Sequence, residues 1–223
     1  MKKPEELNSR MVKEYGSQAG ALVIGIASSG DFHSAPEGFR PADVMEGCVS
    51  VIILGHPFPQ EAILDDPAGY IDIRNAINER MNDIAKNVAK RIREKGYRTK
   101  TISGAGGKWV DGKQFGFISL KHAAELAGIG TIGRNYLLIS PEHGNLLWFS
   151  AVLTDAHLVP DEKIQSICDN CNKCVEACPS GALNDLASFG RKGCSDRMFK
   201  MVNGKWELRC FLCRKICPHR FGE

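Results

Sequence analysis

The 223-residue chain lacks any apolar run long enough to cross a bilayer, so no membrane partner is expected. It also lacks a secretory opening. Met1-Lys2-Lys3-Pro4-Glu5-Glu6 has basic residues with no apolar stretch behind them and no twin-arginine pair, and the expected location is cytoplasmic. A strong excess of one charge sign is lacking, with 29 Lys and Arg against 26 Asp and Glu. A net charge of +3 gives no general electrostatic case for nucleic acid or a membrane surface. The histidines at 33, 56, 122, 143, 157 and 219 show no i, i+4 pairing, which argues against a histidine-based helical metal site. Repeats and low-complexity tracts are absent. The three tryptophans, Trp109, Trp148 and Trp206, stand singly and default to core packing.

Cysteine is not scarce. Nine are present, and eight fall between Cys168 and Cys217. A reducing compartment keeps such thiols unpaired, so the crowding points to metal rather than to disulfides. Cys168-x2-Cys171-x2-Cys174-x3-Cys178-Pro179 reproduces the bacterial ferredoxin run, whose fourth cysteine ligates the other of two clusters. Cys210-x2-Cys213-x3-Cys217-Pro218 is a shortened version, and Cys194 stands alone between them. Eight thiolates match two [4Fe–4S] clusters. The ferredoxin cross-over assigns Cys168, Cys171, Cys174 and Cys217 to one cluster and Cys178, Cys194, Cys210 and Cys213 to the other. Paired zinc sites are the rival, because Cys-x2-Cys occurs at 168/171 and at 210/213. Zinc gives no reason for the repeated Cys-x3-Cys-Pro tail. Cys48, in an apolar strand, reads as a buried inert thiol.

The remainder alternates strand and helix. Residues 4–18 read as a helix, and 21–26 and 48–55 as buried strands. Ile73, Ile77, Met81, Ile84, Val88 and Ile92 form one stripe of a helix over 73–95, with Gly96 as its C-terminal cap. A strand follows at 97–102, a glycine-rich loop or hairpin at 104–116, a helix at 118–127, and strands at 137–139 and 146–153. The composition changes after Pro160, which places a boundary there. Gly128-Ile129-Gly130-Thr131-Ile132-Gly133 matches G-x-G-x-x-G, but it follows a helix and leads into a strand, the reverse of a dinucleotide fingerprint. Its glycines either admit a large flat ligand or make a tight helix–strand turn.

The segment His122-Ala123-Ala124-Glu125-Leu126-Ala127-Gly128-Ile129-Gly130-Thr131-Ile132-Gly133-Arg134-Asn135 resembles epoxyqueuosine reductases. The resemblance continues through Leu137–Gly144 and Trp148–Asp155 and includes the isolated Cys194. It also extends to the similar reductive dehalogenases. It implies an α+β chain: a nitroreductase-like N-terminal α/β domain over residues 1–160, then a small bacterial-ferredoxin-like domain with two [4Fe–4S] clusters over 161–223. It further implies an oxidoreductase that passes electrons through both clusters to a corrinoid (cobalamin) or a bound substrate. The corrinoid would lie over Gly128, Gly130, Gly133, Arg134 and Asn135. An external donor such as a flavodoxin, ferredoxin or reductase would supply the electrons, and the acceptor would be a small molecule or the corrinoid.

Three departures qualify the likeness. The position of the family's acidic proton donor holds Gln114, with Asp111 three residues away; these two are the catalytic candidates. The family's Arg-Asp-Tyr-His reads Ile71-Asp72-Ile73-Arg74. The family's C-terminal helical repeats have no counterpart before Glu223, and with the mild charge this sets the expectation that tRNA is not a partner. The alternative reading is a ferredoxin-type electron carrier or redox partner without catalysis of its own.

Overall fold

The computed structural model describes residues 6–64, 69–110, 113–184 and 191–222. In chain order these form α1 (Ser9–Ala19), β1 (Val23–Ser28), α2 (Pro41–Val44), β2 (Ser50–Pro57), α3 (Glu61–Leu64), α4 (Tyr70–Glu94), β3 (Thr99–Ile102), β4 (Lys108–Val110), β5 (Lys113–Phe115) and α5 (Leu120–Leu126). They continue with β6 (Thr131–Ile132), β7 (Leu138–Ile139), β8 (Leu147–Thr154), α6 (Lys173–Glu176), α7 (Arg191–Met198), β9 (Phe199–Val202), β10 (Lys205–Leu208) and α8 (Leu212–Lys215). The chain is therefore a mixture of helix and sheet, as expected.

Two compact units emerge. The first comprises residues 1–56, 78–129 and 148–164; the second comprises 57–77, 130–147 and 165–223. Neither is continuous in sequence, so the division differs from a single boundary at residue 160. The difference comes from long-range contacts that composition does not record. In the second unit Phe58 stacks on Tyr70 at 5.1 Å, Tyr70 meets Phe211 at 6.0 Å, and the guanidinium of Arg214 lies over both Phe58 and Tyr70.

The first unit is built on a sheet of order β1-β2-β8-β3. β1 pairs antiparallel with β2 in the register Ile26↔Ile52, and β3 pairs antiparallel with β8 in the register Thr101↔Val152. Val51, Ile52, Ile53 and Leu54 are all fully buried, so β2 is covered on both faces, which is why it reads as an unbroken apolar run. The stripe on α4 is buried at Ile77, Met81, Ile84, Val88 and Ile92, each contributing about 1.5–3 kcal/mol over an exposed position. The Ser150 hydroxyl donates to the Met81 carbonyl at 3.1 Å, and the Trp148 indole donates to Asn78 Oδ1 at 3.0 Å, tying α4 to β8. The first helix begins at Ser9 rather than residue 4, because the Asn8 side chain caps it by accepting from Met11 N. Gly25 has its close neighbour at the C-terminal cap of α5: a Cβ there would stand 2.5 Å from the Ala127 carbonyl oxygen. The 104–116 segment resolves into the β4–β5 hairpin, on which Trp109 is 71% exposed; core packing was the wrong default for that side chain.

In the second unit β6 pairs with β7 and β9 with β10, both antiparallel. The β6–β7 ribbon is sewn to the cysteine segment by the Ile167 amide, which donates to Thr131 Oγ1 at 3.0 Å. No helix among the described residues is long and apolar enough to cross a membrane.

Candidate metal centre

The cysteine run 168–178 is shaped by asparagine. Asn170 and Asn172 adopt φ of 57° and 63°, the left-handed region that asparagine tolerates better than other side chains. They flank Cys171, whose amide donates to Asp169 Oδ1 at 3.2 Å in an Asx turn. These turns coil the loop tightly enough for Cys168, Cys171 and Cys174 to line one pocket, and Cys217, from the far end of the sequence, joins them there. Arg134, Asn135, Ile139, Pro218 and His219 also line it.

Several of the thiols influence one another. Burial pushes the Cys174 thiol up, with the charges of Cys168 and Cys217 adding to it. Burial raises Cys217 as well, with contributions from Cys168 and Cys171. Burial pushes Cys213 up to about 12, reinforced by Cys194, Cys210 and, last, Cys174. Cys213 is thus influenced by Cys194, Cys210 and Cys174. Cys178 behaves differently. Burial raises it, but the Ser180 hydroxyl at 3.5 Å and the amides of Ser180, Ala182 and Leu183 outweigh that and lower its pKa. Thiols held up by burial are poor anions alone; a coordinated cation deprotonates them outright.

The donor set is all sulfur, and its Cys-x2-Cys-x2-Cys-x3-Cys-Pro spacing is that of a cluster loop, which paired zinc sites do not require. Two nitrogens of pocket-lining side chains, Arg134 Nε and His219 Nε2, are buried without a hydrogen-bond partner; Asn145 Oδ1, outside that lining, is also unpartnered. An unmet buried polar group costs about 1–3 kcal/mol, so two orphaned nitrogens beside four thiols fit an anionic, acceptor-rich group in that pocket. His219 Nε2 also stands 3.9 Å from Asp169 Oδ2.

The residues expected to take a corrinoid are occupied otherwise. A Cβ on Gly128 would lie 2.2 Å from the Glu162 carbonyl oxygen, one on Gly130 2.3 Å from that of Ile139, and one on Gly133 2.6 Å from Ile139 Cδ1. The glycines make room for the chain's own atoms, which is the tight-turn reading. Arg134 lines the cysteine pocket. Asn135 is buried, accepts from Leu137 N at 3.1 Å and donates to the Cys213 carbonyl at 3.3 Å. These five residues therefore show no fit to a corrinoid. Of the two catalytic candidates, Asp111 lies outside the described residues, and Gln114 pairs with Trp109 in the β4–β5 hairpin. Cys48 is buried, and its thiol donates to the Ser50 carbonyl at 3.5 Å.

Sequence reading missed Asn135 and Asn145 as supports of the cysteine segment. Asn145 Nδ2 donates to the Arg214 carbonyl at 3.1 Å, and its side chain lowers the Cys217 thiol. The available signal was the asparagine content of turns next to the cysteines, as at 170 and 172.

Comparison with known proteins agrees with this centre. The family model described as "4Fe-4S binding domain" matches residues 162–184. Epoxyqueuosine reductase of Listeria monocytogenes is 33% identical over 110 residues, 45% of this chain and 29% of that protein. The Leadbetterella byssophila enzyme of the same name is 27% identical over 190 residues, 80% of this chain and 61% of that protein. The chain thus spans about three tenths to three fifths of the length of these relatives. Among solved structures, an epoxyqueuosine reductase with a modified tRNA-Tyr stem loop matches at a TM-score of 0.66 and 19% identity, covering 95% of this chain and 64% of the other. A reductive dehalogenase matches at 0.71 and 20% identity, covering 93% and 31%. The first of these structures overturns the expectation that tRNA has no place with such a protein. The physical error was to use the net charge, since nine Lys and Arg residues against two acids fall between 191 and 220. In sequence the chain is similar to epoxyqueuosine reductases, in fold it is similar to them and to a reductive dehalogenase, and its cysteine segment carries a 4Fe-4S binding domain.

Proposed function

We propose that this chain is the iron–sulfur core of a reductase that holds two [4Fe–4S] clusters. Cys168, Cys171, Cys174 and Cys217 hold one, and Cys178, Cys194, Cys210 and Cys213 hold the other, in a bacterial-ferredoxin-like module; the remainder is nitroreductase-like. The observation that carries this is the pocket shared by Cys168, Cys171, Cys174 and Cys217, with its orphaned nitrogens. Bound clusters of this type supply low-potential one-electron transfer. The chain's own part is to present thiolates, to exclude water with Ile139 and Pro218, and to fix the Cys213 backbone through Asn135.

The "B12-dependent" chemistry named for the matched dehalogenase brings a corrinoid acceptor into this reading, and the fold likeness is its only support. No step is assigned to it at residues 128–135. The matched reductase with its stem loop brings tRNA in as a partner, and the basic stretch 191–220 favours it.

Anaerobic reconstitution tests the reading. About eight irons and eight acid-labile sulfides per chain, with broad absorbance near ~400 nm, are expected for two clusters. Zinc without sulfide refutes it. Titrating the loaded protein with cobalamin then decides the acceptor: a spectral change supports the corrinoid, and none leaves an electron carrier.

A further inference from the structure

We infer that Arg134 is a positioning residue for the first cluster, donating its Nε–H to that cluster and raising its reduction potential. This rests on the two-cluster reading proposed above. Arg134 comes from the glycine turn, more than thirty residues before the first cluster cysteine, so cysteine spacing gives no hint of it. It lines the pocket of Cys168, Cys171, Cys174 and Cys217, and its Nε is buried with no hydrogen-bond partner.

Burying a guanidinium nitrogen without an acceptor is costly, and the pocket this one lines holds four thiols beside Asp169, Asn170 and Asn172, none of which pairs with it. A guanidinium is a positively charged group that presents its donors in a rigid planar fork. A positively charged donor stabilises the more negative, reduced state of a cluster over its oxidised state. Hydrogen bonds and net charge at the sulfurs are among the factors that set such potentials. The next residue binds the other group, since Asn135 donates to the Cys213 carbonyl at 3.3 Å. One turn therefore contacts both cysteine groups, Arg134 at the pocket of the first and Asn135 at the backbone of the second.

The glycines of this turn acquire a purpose under the same reading. Gly130 and Gly133 are packed against Ile139, which itself lines the cysteine pocket. A larger residue at Gly130 would press on the backbone of β7, and one at Gly133 on the Ile139 side chain, disturbing the wall that Arg134 shares.

The test uses the full chain, reconstituted without oxygen, and an EPR-monitored redox titration of wild type, Arg134→Gln and Arg134→Lys. Iron content and circular dichroism are recorded for each. Arg134→Gln is expected to lower the midpoint of one of the two signals at least tenfold in its redox equilibrium, about 59 mV for one electron. The other signal should stay in place, and Arg134→Lys should recover part of the shift. Unmoved signals in a fully loaded variant overturn the inference, as do two signals that move equally. Wild-type protein labelled with 15N-arginine provides a readout that does not depend on a variant folding. A 15N hyperfine coupling on one cluster, absent from Arg134→Lys, is expected, and no coupling in wild type overturns the assignment. If wild type itself takes up no cluster, the two-cluster reading has failed, a result distinct from either of these.

Discussion

Replacing Gly130 with alanine separates the two uses a glycine turn can have. A Cβ at Gly130 would lie 2.3 Å from the Ile139 carbonyl oxygen, 2.8 Å from its carbon and 3.1 Å from the Ser140 Cα. All three are backbone atoms and cannot swing aside as a side chain would. Ordinary contacts between such atoms begin near ~3.5 Å, so β7 would have to move by about 1 Å. That movement strains the Thr131↔Ile139 pairing. Overpacking of this kind costs about 1–3 kcal/mol, and loosening one ladder hydrogen bond adds about 1 kcal/mol. A total of about 2–4 kcal/mol lowers Tm by about 5–15 °C in a chain of this size. The assay is thermal unfolding by circular dichroism with no corrinoid present. Gly69→Ala is the control: its Cβ would meet nothing within 4 Å, and its Tm should stay within about 1–2 °C of wild type. If Gly130→Ala melts with wild type yet abolishes cobalamin binding, the glycine serves a ligand and the packing argument is wrong.

Two further predictions concern single side chains. Asn135→Ala removes the acceptor for Leu137 N and the donor to the Cys213 carbonyl, and should cost about 1–3 kcal/mol. It should also hasten iron loss to a chelator; unchanged release would mean that the bond does not hold the second cysteine group. Cys48 has its thiol raised above the ordinary value by burial, so less of it is thiolate at pH 8 than in a free cysteine. Its alkylation should be slow at pH 8 and still climbing past pH 9, and Cys48→Ser should keep its full iron content. Rapid labelling at pH 8, or lost iron, would contradict the inert reading.

Much of the fold could be read from the chain because its signals are local. The run Val51–Leu54 announces a strand buried on both faces, and the three- and four-residue steps from Ile77 to Ile92 announce the covered side of α4. The cysteine spacing likewise encodes a cluster loop, since three ligands fall within seven residues. What the sequence hides is contact at long range. Asn135 and Cys213 are 78 positions apart, and Phe58 reaches Phe211 only through Tyr70. The second unit therefore gathers segments that a boundary at residue 160 separates. The glycine turn misled for a different reason. Glycine records that something comes close without recording what, and here it is the carbonyls of Glu162 and Ile139. Arg134 and Asn135, expected from the sequence to lie under a corrinoid, are placed by the fold against the cysteine segment.

The central claim is that eight cysteines in two interleaved sets hold two cubane clusters, with Cys194 recruited to the second. Native mass spectrometry of the anaerobically reconstituted chain, beside Cys194→Ser and Cys217→Ser, tests it most directly. The account predicts the mass of two [4Fe–4S] clusters on wild type. Each single variant should lose or degrade one cluster and retain the other, with different clusters surviving in the two. One cluster on wild type, zinc in place of iron and sulfide, or the same cluster lost in both variants would contradict it.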